Sequence, residues 1–210
     1  LPHDPPASVL SLAGASELPL TAPGELLMRT EQQADGETDP ARCVALRREC
    51  LALAQIACID DAYQLGRASH KLAQAYVIAR AHEPAARHAE RAEALLASEP
   101  DRKEAVHLLP EAALVLASAL AGLGRRRAAT DAYKRAAALA TGETRLQVLH
   151  GCARLAASDG DYARAVELLE KERELRRARS GALPTPAERD AEIELCIQIA
   201  DTLLREARAK

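Results

Sequence analysis

Apolar and polar residues follow a helical period along most of the chain from Glu25 onward. Apolar positions recur three and four residues apart, which places them on one face of an α-helix. Short groups of turn-forming residues interrupt this pattern and predict about nine helices joined by brief loops. The interruptions are Asp35-Gly36, Asp39-Pro40, Asp60-Asp61, Glu83-Pro84, Glu99-Pro100-Asp101, Gly122 to Gly124, Gly142, Asp159-Gly160 and Pro184 to Pro186.

The short loops restrict how these helices pack. Consecutive helices joined by a few residues must lie antiparallel, as helical hairpins. A four-helix bundle does not need nine helices, so a stack of hairpins is the architecture that the pattern favours. The sequence therefore predicts an all-α, right-handed α-solenoid.

An internal repeat supports this prediction. When Gly124 is laid over Gly160, 36 residues later, small and apolar positions coincide across both flanking helices. Small residues let two helix axes approach closely, and a larger residue one turn later fills the remaining gap. A third copy lies upstream, where Pro84 replaces the glycine turn. The coinciding pairs are Ala117 with Ala153, Leu120 with Ala156, Ala129 with Ala165, and Tyr133 with Leu169.

The composition agrees with an all-helical fold. The chain has 47 Ala and 31 Leu but no Phe or Trp, and only 2% of its residues are aromatic. This inventory is rich in helix formers and poor in strand formers. The 28 basic and 31 acidic residues nearly cancel, so the overall charge does not favour nucleic acid, and a charged partner must use a local patch.

Two regions are predicted. Residues 1–24 contain five prolines and little periodicity, which is typical of an extended, proline-rich arm. Residues 25–210 form the repeat domain, with about four hairpins and a terminal helix. Because the chain begins with Leu and its last helix has no sequence cap, we expect it to be a portion of a longer protein.

The repeat resembles the tetratricopeptide repeat, in which a glycine turn separates two helices with small and aromatic residues at fixed spacing. The match is best at Gly124, Ala129, Tyr133 and Ala136. Segments 42–46, 72–76 and 86–89 also look like the corresponding segments of the tetratricopeptide repeat protein 23 family, and the similarity spans residues 25–205. That resemblance implies a ciliary protein without enzyme activity, located at the cilium base or axoneme and assembled with other ciliary proteins.

Two functions stay open at this stage. The first is a non-catalytic scaffold of cilia or flagella, in the cytoplasm or axoneme, with protein partners that include tubulin. The second is a reversible peptide-binding adaptor outside the cilium, serving cargo transport or signalling. No membrane insertion is expected, because the N-terminus lacks the features of a signal peptide and we read no apolar run near 20 residues.

The first helix of each hairpin is expected to line a concave groove, which is the default ligand site of such an array. The groove lacks the Lys and Asn donors that chaperone-binding arrays use for a C-terminal carboxylate, so that class is disfavoured. If Gly66, Pro110 and Leu146 start the three complete units, the groove-facing residues are Arg67, His70, Gln74, Glu111, Leu114, Ser118, Gln147, His150 and Arg154.

Two arginine clusters are further candidates. Arg173, Arg176, Arg177 and Arg179 end a long helix, where cations complement the helix dipole. The other cluster, which we call the basic patch, consists of Arg125, Arg126 and Arg127 in a turn. No local structural role accounts for it, so contact with acidic tubulin tails or an acidic coiled coil is the functional hypothesis.

No catalytic, cofactor or metal residues are predicted. The six histidines are scattered and none forms a helical zinc pair with a nearby glutamate. The five cysteines are odd in number and lack a C-x-x-C spacing, which fits neither a disulfide framework nor a zinc site. Phosphate-binding and serine-nucleophile motifs are also absent from the sequence.

Overall fold

The computed structural model describes residues 22–179 and 185–209, which form nine α-helices without a strand in these ranges. The predicted all-α solenoid of hairpins is confirmed. The predicted arm lies outside the described residues over 1–21. The helices are α1 (Pro23–Gly36), α2 (Pro40–Ala57), α3 (Ala62–Ile78), α4 (His82–Ala97), α5 (Lys103–Gly122), α6 (Arg126–Leu139), α7 (Gly142–Ser158), α8 (Tyr162–Arg179) and α9 (Pro186–Ala209).

Several helix starts differ from the positions expected from the sequence. Pro23, which we expected in the arm, is the first residue of α1, because proline is preorganised for the first helical position. Pro110 was expected to start a unit but lies inside α5, where it is buried. Gly66 and Leu146 likewise lie one turn inside α3 and α7. Each unit therefore begins earlier than predicted.

The hairpin turns share one backbone conformation. Gly124 and Gly160 have positive φ angles of 70° and 79°, and the next residue donates its amide hydrogen to a carbonyl five positions earlier. Arg80 adopts the same left-handed conformation in the upstream unit, with φ 57°, and Ala81 donates to the carbonyl of Tyr76 at 2.9 Å. Arg80, rather than Pro84, thus takes the place of the turn glycine.

The hairpins α1–α2, α3–α4, α5–α6 and α7–α8 stack in chain order. Each second helix also packs against the next first helix, and α5 contacts both α3 and α7 directly. These three first helices therefore form one continuous inner layer, as expected for the concave side of such an array.

The middle of the stack is built on alanine. Alanines that are completely buried line the contacts among α3 to α6, which allows the helix axes to approach closely. Two glycines mark the tightest approaches. A Cβ atom on Gly151 would lie 2.5 Å from the Tyr133 ring, and one on Gly122 would lie 2.5 Å from the His82 ring.

Helix α5 is an apolar stretch of 20 residues, which the sequence analysis did not detect. Its 20 residues have a mean hydropathy of 1.6 over an 18-residue window, so by length and composition it is able to span a bilayer. In the structure it lies in the centre of the stack, against α3, α4, α6 and α7. This central packing accounts for its apolar character.

Candidate protein-binding cleft

The predicted groove residues of α3 have different environments. Gln74 is exposed, as expected. Arg67 instead reaches α1, where its guanidinium donates to both carboxylate oxygens of Glu31 at 2.8 and 2.9 Å. This contact joins the first two hairpins, so Arg67 has a structural partner within the chain.

His70 lies in the core and not on an open groove surface. It is 2% exposed, and burial lowers its pKa to about 4, so the ring is neutral at pH 7. Its Nε2 atom is 3.7 Å from a carboxylate oxygen of Glu111 on α5, while its Nδ1 atom has no hydrogen-bond partner among the described residues. Sequence reasoning misplaced His70 because a histidine on a polar-looking stripe gave no sign that α5 covers it.

The α5 residues are also partly covered. Burial raises the pKa of Glu111, whose side chain is half-buried beside His70. Leu114 is half-buried, and the Ser118 hydroxyl donates to the Leu114 carbonyl at 3.0 Å. The α5 section of the inner layer therefore offers few free polar groups to a ligand.

At α7 the groove opens. Gln147 and Arg154 are exposed, and His150 is half-buried. The Nδ1 atom of His150 lies 3.2 Å from Glu172, which Arg176 also contacts at 2.7 Å. Burial alone raises the pKa of Glu172, but the contacts with His150 and Arg176 outweigh it, so the net pKa lies below its ordinary value.

His150 and Arg154 line a cleft of about 530 Å³ between α7 and α9, which we call the C-terminal cleft. The opposite wall of the cleft comes from α9. Sequence reasoning missed the α9 residues of this wall, because no repeat pattern indicated that the terminal helix borders the groove. The full lining is His150, Ala153, Arg154, Ala157, Ser158, Leu169, Gln198, Asp201, Thr202 and Arg205.

Two guanidinium groups of the C-terminal cleft are free. Arg154 and Arg205 are exposed and have no ion pair among the described residues, whereas many other arginines of the chain are paired. Asp201 and Gln198 stand on α9 in the same lining and supply an acceptor and an amide. The cleft thus presents forked donors for a carboxylate beside groups suited to backbone hydrogen bonds.

A second cleft, of about 750 Å³, lies where α7 begins, α8 ends and α9 begins. It contains three arginines of the predicted α8 cluster, and all three are ion-paired. Arg176 contacts Glu172, Arg177 contacts Glu192 at 2.6 Å, and Arg179 contacts Glu143 at 3.2 Å. Besides complementing the helix dipole, Arg177 and Arg179 join α8 to its neighbours.

The basic patch has a structural role that the sequence did not reveal. Arg125 contacts Glu83 of the preceding hairpin at 3.2 Å, and Arg126 contacts Asp159 of the following hairpin at 2.7 Å. The turn therefore connects three successive units. Arg127 is exposed and has no ion pair among the described residues.

The described residues contain no group of three or more His, Cys, Asp or Glu side chains that could hold a metal ion. Burial raises the pKa of the Cys50 and Cys152 thiols, which reduces the fraction of reactive thiolate at neutral pH. The geometry around these two thiols is that of small core residues.

Comparison with solved structures identifies the fold. The chain is similar to a kinesin light chain-like protein from Podosopora anserina with nearly identical TPR-like repeats, seen in two crystal structures. A single-substitution variant of that protein matches with a TM-score of 0.56 and 19% identity, over 89% of this chain and 95% of that one. The second structure matches with a TM-score of 0.55 and 19% identity, over 89% and 92%. No protein-family model matches the sequence, and neither does any curated protein.

The class that fold and geometry define is a tetratricopeptide-like repeat solenoid. At this level of identity the similarity concerns the fold, and the resemblance to the tetratricopeptide repeat protein 23 family finds no counterpart among these structures.

Proposed function

We propose that this chain is a non-catalytic protein-interaction scaffold whose C-terminal cleft binds an extended acidic segment of a partner protein. The observation that carries the proposal is a pair of arginines, Arg154 and Arg205, that have no ion pair within the described part of the chain and lie on opposite walls of a cleft of about 530 Å³. Guanidinium groups bind carboxylates through parallel hydrogen bonds, which favours acidic side chains as anchors.

The contrast with the rest of the inner layer supports this location. Arg67 is already bound to Glu31, and His70 is buried and neutral. Within residues 22–179 and 185–209, a ligand in the C-terminal cleft displaces no ion pair of Arg154 or Arg205. The half-buried His150 and the amide of Gln198 line the same cleft and provide polar contacts for an extended peptide backbone.

The experiment is a selection of random peptides displayed on phage against the full 210-residue chain. We expect enrichment of peptides rich in Asp and Glu, with affinities that fall as salt rises, because exposed charges are screened. The variant Arg154→Glu/Arg205→Glu is expected to lose binding of the enriched peptides at least ~10-fold, which corresponds to the loss of charge-assisted contacts.

A matched control separates a local effect from a change in net charge. Arg87→Glu/Arg91→Glu makes the same substitutions at two exposed positions of α4. The control is expected to bind the selected peptides like the original chain. Equal losses in both double variants, or enrichment of peptides without acidic residues, contradict the proposal.

The finer proposal is that this scaffold belongs to a ciliary assembly, at the cilium base or on the axoneme. The sequence resemblance supports this proposal. Arg127 of the basic patch has no ion pair among the described residues, so its guanidinium is able to bind an acidic tubulin tail. Reversal of Arg127 to Glu is expected to reduce co-sedimentation with microtubules. Unchanged co-sedimentation contradicts the tubulin contact.

A reversible adaptor is the second candidate function. It is favoured by the likeness to repeats of a kinesin light chain-like protein. The two candidates differ in how firmly the protein is held. A built-in ciliary scaffold stays with salt-washed axonemes, whereas an adaptor is extracted by detergent or modest salt.

A further inference from the structure

The C-terminal cleft contains a histidine whose ring is held by a buried carboxylate. The Nδ1 atom of His150 lies 3.2 Å from one oxygen of Glu172, and Arg176 donates to the other oxygen at 2.7 Å. The Glu172 side chain is 2% exposed, whereas the His150 ring is 33% exposed and lines the cleft. The imidazole is therefore fixed on one side by a group inside the protein and accessible on the other.

The carboxylate determines which ring nitrogen of His150 carries the hydrogen. Burial raises the pKa of Glu172, but the contacts with His150 and Arg176 hold it below its ordinary value, so Glu172 is ionised around neutral pH. An ionised carboxylate only accepts hydrogen bonds, so Nδ1 must donate to it. In the neutral ring Nε2 is then an acceptor, and protonation of the ring turns Nε2 into a charged donor.

The Nε2 atom of His150 is available to a ligand. Within residues 22–179 and 185–209 it has no hydrogen-bond partner, and it is not enclosed, in contrast to the Nδ1 atom of His70. The two nitrogens of an imidazole point in widely different directions. Because Nδ1 faces Glu172, Nε2 points away from that carboxylate, on the side where the ring lines the cleft.

The charges of the cleft lining change with the protonation of His150. Arg154, Arg205 and Asp201 together give the lining a net charge of +1 while His150 is neutral, and protonation raises it to +2. A ligand rich in carboxylates therefore meets twice the net charge. A charged donor at Nε2 also forms a stronger hydrogen bond with a carboxylate than a neutral group does.

The other helices that pack against α7 form no ion pair or hydrogen bond with His150 among the described residues. On α5, the carboxylate of Glu111 contacts His70 instead. On α6, Tyr133 packs against α7, and burial raises its pKa, so its hydroxyl stays uncharged near neutral pH. The negative charge in contact with His150 is thus that of Glu172, and a negative neighbour favours the protonated ring.

We infer that His150 is a third ligand-binding group of the C-terminal cleft, positioned by Glu172, and that the cleft holds acidic segments more firmly as pH falls from about 7.5 to about 6. This inference rests on the proposed function of the cleft. At the higher pH the neutral ring accepts a hydrogen bond from the ligand backbone, and at the lower pH the protonated ring donates to a ligand carboxylate. Carboxylates of the ligand and guanidinium groups of the cleft keep their charges over this range.

Calorimetric titration of the full chain with the most enriched acidic peptide from the display selection, in a version without histidine, tests the inference. Binding is expected to tighten roughly 3- to 5-fold between about pH 7.5 and about pH 6. His150→Gln is expected to remove this dependence and to leave the weaker affinity at both pH values. His150→Lys is cationic at both pH values and is expected to show the tighter affinity at both.

His107→Gln is the matched control. It removes an exposed histidine of α5 that does not line the cleft. The control is expected to retain the full pH dependence of the original chain. Loss of the dependence in this variant contradicts the assignment to His150.

Glu172→Gln tests the positioning role. The amide has nearly the same size but lacks the charge that favours the protonated ring, so the pH at which binding tightens is expected to move downward. A loss of affinity by the same factor at every pH contradicts a positioning role. An NMR spectrum of the ¹⁵N-labelled ring in the original chain tests the same contact without a variant. At about pH 7.5 we expect the hydrogen of His150 on Nδ1, and a hydrogen on Nε2 overturns the inference.

The outcomes separate this inference from the proposed function. If acidic peptides bind and His150→Gln keeps the pH dependence of the original chain, the inference is wrong and the proposed function stands. If no acidic peptide binds at either pH, both are wrong.

Discussion

The middle of the solenoid and its C-terminal end are built differently. Helices α3 to α6 meet through alanines that are fully buried, and the few polar side chains enclosed there include Ser69 and His70, each with a buried polar atom that has no hydrogen-bond partner among the described residues. Helices α7 to α9 share a small apolar cluster of five buried residues and are joined further by ion pairs. The C-terminal end also carries the two clefts described above. Tight small-residue packing holds the middle together, whereas the more open end carries the cleft that we propose as the partner site.

The largest predicted effect breaks the packing of the middle. Ala89 is completely buried in α4, so Ala89→Leu forces extra methyl groups into a closed contact. We expect the free energy of unfolding to fall by about 2–3 kcal/mol. Ala137→Leu, at an exposed position of α6, is the control and is expected to change stability by less than about 0.5 kcal/mol. Urea denaturation measures both, and equal losses contradict the difference in packing.

The next effect is a dependence of stability on pH, and it tests the burial of His70 in the middle of the stack. The unfolded chain protonates His70 near its ordinary pKa of 6.5, but the folded chain does so only near 4. The unfolded state therefore binds more protons between these values, and stability falls as pH falls through this window. We expect a loss of about 2 kcal/mol between about pH 7.5 and pH 5.

His70→Gln removes that titration while keeping a side chain of similar size. Denaturation curves of the variant are expected to be flatter with pH over the same range. Burial also lowers the pKa of His88, which leaves a smaller slope in the same direction. A variant whose slope equals that of the original chain contradicts the assignment to His70.

A smaller effect is expected where the two regions meet, at the contact between α6 and α7. Gly151→Ala places a Cβ atom 2.5 Å from the Tyr133 ring, so α6 and α7 must separate slightly. We expect a loss of about 1–2 kcal/mol, since the strain exceeds the gain in helix propensity. Gly36→Ala is the comparison, because nothing lies within 4 Å of that Cβ. Equal melting temperatures of the two variants in a thermal scan contradict a close approach of α6 and α7 at Gly151.

The smallest effect is predicted for the exposed ion pairs between hairpins. Arg126→Ala removes the contact with Asp159. The Arg126 side chain is 58% exposed and that of Asp159 is 38% exposed. We expect a loss below about 0.5 kcal/mol that disappears at high salt. A larger, salt-independent loss measured by urea denaturation contradicts a secondary role for this contact.

Much of the middle was predictable because its signals are local. The helical period and the breakers indicated the order of the helices, and the overlay of Gly124 on Gly160 identified two equivalent turns. Arg80 escaped detection because a non-glycine residue in the left-handed conformation has no sequence signature. The predicted start at Pro110 was wrong, because in the sequence a proline inside a helix looks the same as a proline at a helix start.

The candidate site was less predictable because it depends on contacts between distant segments. Arg154 was identified from its place on a first helix, and it does face a cleft. The burial of His70 depends on α5, and the contribution of Arg205 depends on how α9 returns to the groove. The contacts of the basic patch join residues about 30 to 40 positions apart, which a local pattern does not reveal.

The central claim is that the binding surface lies at the C-terminal end of the inner layer. The most direct test is an NMR titration of the ¹⁵N-labelled chain with the most enriched acidic peptide from the display selection. We expect backbone shifts to concentrate on α7 and α9 around Arg154 and Arg205, and to vanish in the Arg154→Glu/Arg205→Glu variant. Shifts centred on α3 and α5, or unchanged shifts in that variant, contradict the account.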